Sequence, residues 1–184
     1  LSPPSSHGLV TPGTHTGVVI MGVSGAGKST VSRLLSDRLG WALAEADDFH
    51  PRQNIEKMRA GTPLTDADRR PWLQAIAAWL ASWADAGESA IVTCSALKRA
   101  YRDVLRDAGP RVRFVHLNGD HDTLARRLAA RSGHFMPPAL LDSQLADLEP
   151  LAPDEDGVVV DIGGTPEEVA AEALCRLGQA TQSG

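Results

Sequence analysis

"GVSGAGKST", residues 22–30, decides how the rest of the chain is read. It fits G-x-x-x-x-G-K-[ST] through Gly22, Gly27, Lys28 and Ser29. A short apolar run, Val18 to Met21, precedes it. Val31, Leu34, Leu35 and Leu39 follow at helical spacing until Gly40 stops the pattern, so the stretch joins a buried strand to a helix. In that setting glycines let backbone N–H groups converge on an anion that a Cβ would hold off. The helix N-terminus adds a partial positive charge. Gly22, Val23, Ser24, Gly25, Ala26, Gly27, Lys28, Ser29 and Thr30 therefore form the expected cradle for a nucleoside triphosphate. Lys28 reaches the β- and γ-phosphates, and Ser29 is the expected ligand of Mg2+.

Outward from this loop the chain alternates strands and helices. Further strands are expected at 42–46, 90–94, 113–117 and 157–162. Trp72, Leu73, Ile76, Trp79, Leu80 and Trp83 recur at helical spacing in a segment that opens at Arg70 and closes at Gly87, and they read as core rather than as a ligand cage. Leu124 and Leu128 mark another helix. Thr165, Pro166 and Glu168 supply the N-cap, first position and capping box of the last one. Five apolar strands alternating with helices predict an α/β fold of the P-loop NTPase kind: a mostly parallel sheet flanked by helices, with a short lid at about 127–150. Ligands on such sheets lie beyond the carboxyl ends of the strands. Residues 1–16, rich in Ser, Pro, Gly and Thr, read as a flexible lead-in, and 17–184 as a single domain with no separate substrate domain.

Composition narrows the partners. The 184 residues are 42% hydrophobic and 22% charged with net charge −5, and Lys and Arg form no basic stripe, which argues against nucleic acid. No apolar run approaches the roughly 20 residues of a membrane span. Cys94 and Cys175 lie far apart with no CxxC partner and read as free thiols of a reducing, cytoplasmic compartment. His50, His116, His121 and His134 lack paired metal-ligand spacing, so zinc is not expected.

The cradle alone does not name the phosphate acceptor. A GTPase should carry D-x-x-G soon after the loop and N-K-x-D later. Here Asp161-Ile-Gly-Gly164 comes near the C-terminus, and N-K-x-D does not occur. Asp47 and Asp48 fall at the end of the second strand, where a carboxylate can accept a hydroxyl proton or hold the water shell of a metal. His50, extended before Pro51, offers a polar contact to a hydroxylated substrate. Lys98 and Arg102 follow the third strand; Lys98 is a mobile cation and Arg102 a bidentate clamp for a carboxylate or phosphate. Arg127 and Arg131 share a helix face before Gly133 and Pro137-Pro138, which suits a lid that closes over ATP and stabilises transferring charge.

With those residues in view, the chain resembles the gluconokinases, small P-loop kinases related to shikimate and nucleoside-monophosphate kinases. The matching pieces are "GVSGAGKST", "ADDFHP", "NIEKMRAGTPLTDADRRPWL", "CSALKRAYRD", "RLAARSGHFMPPALLDSQLADLEPL" and "VVVDI", in order over about 17–162. The resemblance implies Mg2+-dependent transfer from ATP to the 6-hydroxyl of D-gluconate, in a cytoplasmic homodimer. It implies Asp47 as the base and substrate contacts from His50, Lys98, Arg102 and His134; Arg69 is a further cation for the carboxylate. The nearest alternatives are shikimate or nucleotide kinases and a non-catalytic ATP-binding regulator. Adenylate-type loops usually carry Gly-Thr after the lysine, where this chain has Ser29-Thr30. Shikimate kinases usually show Gly-Gly-Gly where it has Ser95-Ala96-Leu97.

Overall fold

The computed structural model describes residues 16–107, 111–131 and 138–182. Five strands, β1 (Thr16–Met21), β2 (Ala42–Glu45), β3 (Ala90–Thr93), β4 (Arg111–Asn118) and β5 (Gly157–Asp161), pair in parallel in the order β2-β3-β1-β4-β5. Helices α1 (Lys28–Leu39), α2 (Arg52–Arg59), α3 (Asp66–Asp85), α4 (Arg99–Arg106), α5 (His121–Ala130), α6 (Pro138–Asp147) and α7 (Pro166–Gln182) connect or follow them. Thr16 already belongs to β1, its N–H donating to Ser89 Oγ at 3.1 Å, so the sheet starts one residue before the expected boundary.

β1, β3 and the middle of β4 are buried on both faces because alternate side chains meet different helices, while the edge strands β2 and β5 are only partly covered. Val18 and Ile20 of β1 join the cluster that packs under α1 and α7, with Val31, Leu35, Val169 and Ala173. Val19 and Met21 face the opposite cluster, built from Trp72, Leu73, Ile76 and Leu80 of α3 and Leu105 of α4. The tryptophan stripe is thus core as expected, with one addition: Trp72 also forms part of a cleft wall.

α3 begins four residues before the expected start. Thr65 Oγ1 accepts from the Asp68 N–H at 3.1 Å, and Asp68 Oδ2 accepts from the Thr65 N–H at 2.9 Å, a full capping box. Pro71 therefore lies inside the helix. In α7 Thr165 Oγ1 accepts from the Glu168 N–H at 3.2 Å, the forward half of the expected box.

The strand order positions the site. The chain leaves β1 for β2 and β3 on one side, then returns for β4 and β5 on the other. The carboxyl end of β1 is thus the point where the winding reverses and a crevice opens. The glycine-rich loop that begins at Gly22 fills that point. Gly22 takes φ +146°, and a Cβ there would stand 2.9 Å from the Leu117 carbonyl oxygen, so backbone clearance dictates glycine.

Candidate active site

A cleft of about 290 Å³ opens above β1, β2 and β3, lined by the cradle loop, Glu45, Asp47, Trp72, Thr93 and Cys94, with Arg131 and Gln144 on the far wall. Lys28 Nζ donates to the carbonyls of Gly22 at 2.9 Å and Val23 at 3.1 Å, which bend it over the loop. Burial takes its ammonium down to about 8; the charge of Arg131 adds to this, while Asp47 and Glu45 oppose it. Beneath it the Cys94 thiol is pushed up to about 12, chiefly by burial, and stays protonated.

Ser29 Oγ donates to Glu45 Oε2 at 3.2 Å, and Thr93 Oγ1 donates to the same oxygen. Two strand ends and the cradle thereby meet at one carboxylate. Glu45, the last residue of β2, carried no local signal in the sequence: the partners that give its carboxylate a purpose, Ser29 and Thr93, lie 16 and 48 residues away. Asp47 lies in the 3-10 turn Ala46–Phe49 that follows β2. Trp72 Nε1 donates to the Ala46 carbonyl at 2.7 Å and anchors that turn from α3. Asp47 lines the cleft; Asp48, its neighbour, does not.

Beyond Trp72 lies a second group of polar side chains. His50 stacks on the Trp72 indole, centroids 4.4 Å apart. Asn54 Nδ2 approaches His50 Nδ1 at 3.4 Å while donating to the Asp68 carbonyl at 2.9 Å, so Nδ1 is the accepting nitrogen and Nε2 carries the proton. Burial lowers the imidazole pKa, and Arg69 adds to the effect against Asp47. Arg69 Nη1 donates to the Tyr101 hydroxyl at 3.2 Å, and that hydroxyl donates to Asp66 Oδ1 at 2.6 Å. Arg69 Cζ and Lys98 Nζ each stand 5.7 Å from the Tyr101 ring centroid. The fold therefore brings Arg69 and Lys98 together around a tyrosine that the sequence alone did not single out.

Arg102 does not reach the rim of the cleft, contrary to the expectation. Its side chain is fully buried, with Nε donating to Glu155 Oε1 at 2.7 Å and Nη2 to Glu155 Oε2 at 3.0 Å. Nη1 donates to the carbonyls of Ala96 at 2.9 Å and Leu97 at 3.2 Å. Every arm is spent inside the protein, so Arg102 is not a clamp for a substrate. Instead it holds the turn after β3, where Ala96 adopts φ +46°.

The two expected lid arginines diverge. Arg127 Nη2 donates to the carbonyls of Ile162 and Gly164 in the β5–α7 turn. Arg131 follows the end of α5 and lines the cleft. His134 lies outside the described residues. Gln144, which no sequence signal marked, arrives from α6: its Oε1 accepts from the Ser24 N–H at 2.8 Å.

A glycine-rich loop faces carboxylates at the ends of parallel strands, with cations further out, and known proteins share this chain's sequence and fold. A family model described as AAA domain matches residues 18–151. Gluconokinase from Gluconobacter oxydans is 49% identical over 164 residues, covering 89% of this chain and 91% of the relative. The crystal structure of a gluconokinase from Sinorhizobium meliloti aligns with TM-score 0.82 at 44% identity, covering 94% of this chain and 95% of that one. That of a sugar kinase from Janibacter sp. aligns with TM-score 0.81 at 52% identity, covering 88% and 93%. With identity at this level across nearly the whole fold, the chain belongs to the gluconokinase family.

Proposed function

We propose that this protein is an ATP-dependent gluconokinase, transferring the γ-phosphoryl group of ATP to the 6-hydroxyl of D-gluconate to give 6-phospho-D-gluconate. The observation that carries the chemistry is the single cleft in which Lys28, Ser29 and Asp47 meet. The acceptor is supplied by kinship with gluconokinases and by the cations around Tyr101.

The donor set fits Mg2+. Ser29 Oγ and Glu45 Oε2 are hard oxygen ligands 3.2 Å apart. No cluster of three metal-ligating side chains occurs among the described residues, and Mg2+ beside a nucleotide needs few protein oxygens, because water and phosphate complete its shell. When bound there, the ion neutralises charge on the phosphate oxygens. Ser29 and Glu45 would hold it.

In the transfer, Asp47 orients the 6-hydroxyl and accepts its proton as the O6–P bond forms and the bond from Pγ to the β-phosphate oxygen breaks, releasing ADP. Lys28 leaves its carbonyl partners for the phosphates, and Arg131 faces the charge in transit. Arg69 and Lys98 receive the gluconate carboxylate, and the His50 Nε2–H is left to donate to a hydroxyl. Homodimerisation and a cytoplasmic location rest on the family resemblance; light scattering on the purified protein tests the first. Among the described residues no helix is long and apolar enough to cross a membrane.

The deciding assay couples ADP release to a readout with ATP, Mg2+ and, in turn, gluconate, shikimate, AMP and a panel of sugar acids. Turnover with gluconate in preference to the others is expected. Turnover confined to another acceptor would overturn the substrate assignment and leave the cradle intact.

A further inference from the structure

Among the described residues one hydrogen bond ties α6 to the glycine-rich loop. Gln144 Oε1 accepts from the Ser24 N–H at 2.8 Å across 120 residues of sequence, and the side chain lines the same cleft as Lys28, Ser29 and Asp47. A peptide N–H can only donate, so the carboxamide must present its oxygen to the loop. The planar amide then fixes its nitrogen on the opposite branch, with two N–H donors. Among the described residues no hydrogen bond uses that nitrogen. Gln144 therefore has one end braced on the backbone that cradles the phosphates and the other end unspent.

The surroundings state what would accept those donors. Ser24 is the third residue of the loop, and Lys28, Ser29 and Arg131 line the same volume. Donors gathered around one volume that two cations also line recognise an oxyanion. A neutral amide adds donors there without adding to the repulsion between Lys28 and Arg131.

Resting on the kinase reading above, we infer that the Gln144 amide N–H donates to the phosphoryl group passing from ATP to its acceptor, and that the bond to Ser24 aims it. Gln144 is then a further substrate-contacting residue, reaching the cradle from α6. It takes no proton and forms no covalent bond; it holds charge that grows as transfer proceeds.

Two substitutions separate the brace from the donor. Gln144→Glu keeps the length and an oxygen for the Ser24 N–H but has no donor. Gln144→Met keeps the length and removes both functions. The readouts are kcat and KM with gluconate, ATP·Mg2+ affinity by equilibrium fluorescence, and the thermal midpoint. Both variants are expected to lose about 10²-fold or more in kcat, the size found for single donors to a developing oxyanion. Gln144→Glu should keep the wild-type midpoint, since its brace survives. Gln144→Met should bind ATP within about threefold of wild type, because the contact strengthens only during transfer.

Three results would overturn the inference. Wild-type turnover by Gln144→Glu would leave only the brace. Wild-type turnover by Gln144→Met would leave neither role. Tighter ATP binding by Gln144→Met would make Gln144 a cap that the nucleotide has to displace. Acceptor-free ATP hydrolysis is measured in parallel and needs no gluconate. If wild type ignores gluconate, the substrate assignment fails while the Gln144 inference is still decided by hydrolysis.

Discussion

Lys28 and Asp47 carry opposite burdens in one cleft. Burial holds the lysine ammonium at about 8, yet phosphate needs it charged. Above that pH the free protein must take up a proton to bind ATP, so affinity falls as pH rises. The ATP dissociation constant should increase about tenfold from about pH 7 to about pH 9, with proton uptake visible by calorimetry in buffers of different ionisation enthalpy. A constant value over that range would mean that Lys28 does not supply the charge. Asp47 is exposed to the cleft and anchored only through its turn. Asp47→Asn should cut kcat by about 10²- to 10⁴-fold while ATP affinity stays within about threefold, since general-base catalysis contributes that much and binding does not depend on it. Near-normal turnover would remove Asp47 as the base. Lys28 was legible because it sits inside a contiguous motif of eight positions. Glu45 was not, because the reason for its carboxylate is Thr93, a partner 48 residues away that only strand pairing brings near.

Elements meet at Arg102. It joins α4 to the turn after β3 and to the loop before β5, with Glu155 also accepting from Arg106 Nη2 at 2.9 Å and the Ala152 N–H at 2.8 Å. Burial raises the Glu155 pKa, but the bonds from Arg102, Ala152 and Arg106 outweigh it and hold the carboxyl at about 2. Replacing Arg102 by Met leaves that carboxylate short of its main partner inside the protein. A loss of about 3–5 kcal/mol is expected from urea unfolding, and Arg102→Met/Glu155→Met should recover much of it, because the uncompensated charge is then gone. Equal instability of the single and double variants would locate the cost in packing instead. In sequence, Arg102 stands four residues after Lys98 at a helix start, and both look like rim cations. The residues that turn it inward lie some fifty positions downstream, so no local pattern contains them.

Over the whole molecule, the site is the meeting point of β1, β2, β3, α5 and α6, so nucleotide binding should stabilise the fold as a unit. At about 100 times its dissociation constant, ATP·Mg2+ should add about 2.7 kcal/mol, a rise of roughly 5–10 °C in thermal midpoint for a chain this size. Lys28→Ala should lose most of that shift in the same differential-scanning measurement. A full shift in that variant would place the phosphates elsewhere. Sequence by itself determined the parallel α/β order, the cradle and the Lys28–Ser29 pair, because these follow from apolar periodicity and from a motif whose parts are contiguous. It also located Asp47, since a strand end is a local feature. Tertiary structure alone decided that Arg102 is an internal tie, that Arg69 and Lys98 flank Tyr101, and that Gln144 braces Ser24. Each of those depends on distant segments packed at a common edge of the sheet, where geometry rather than spacing selects the partner.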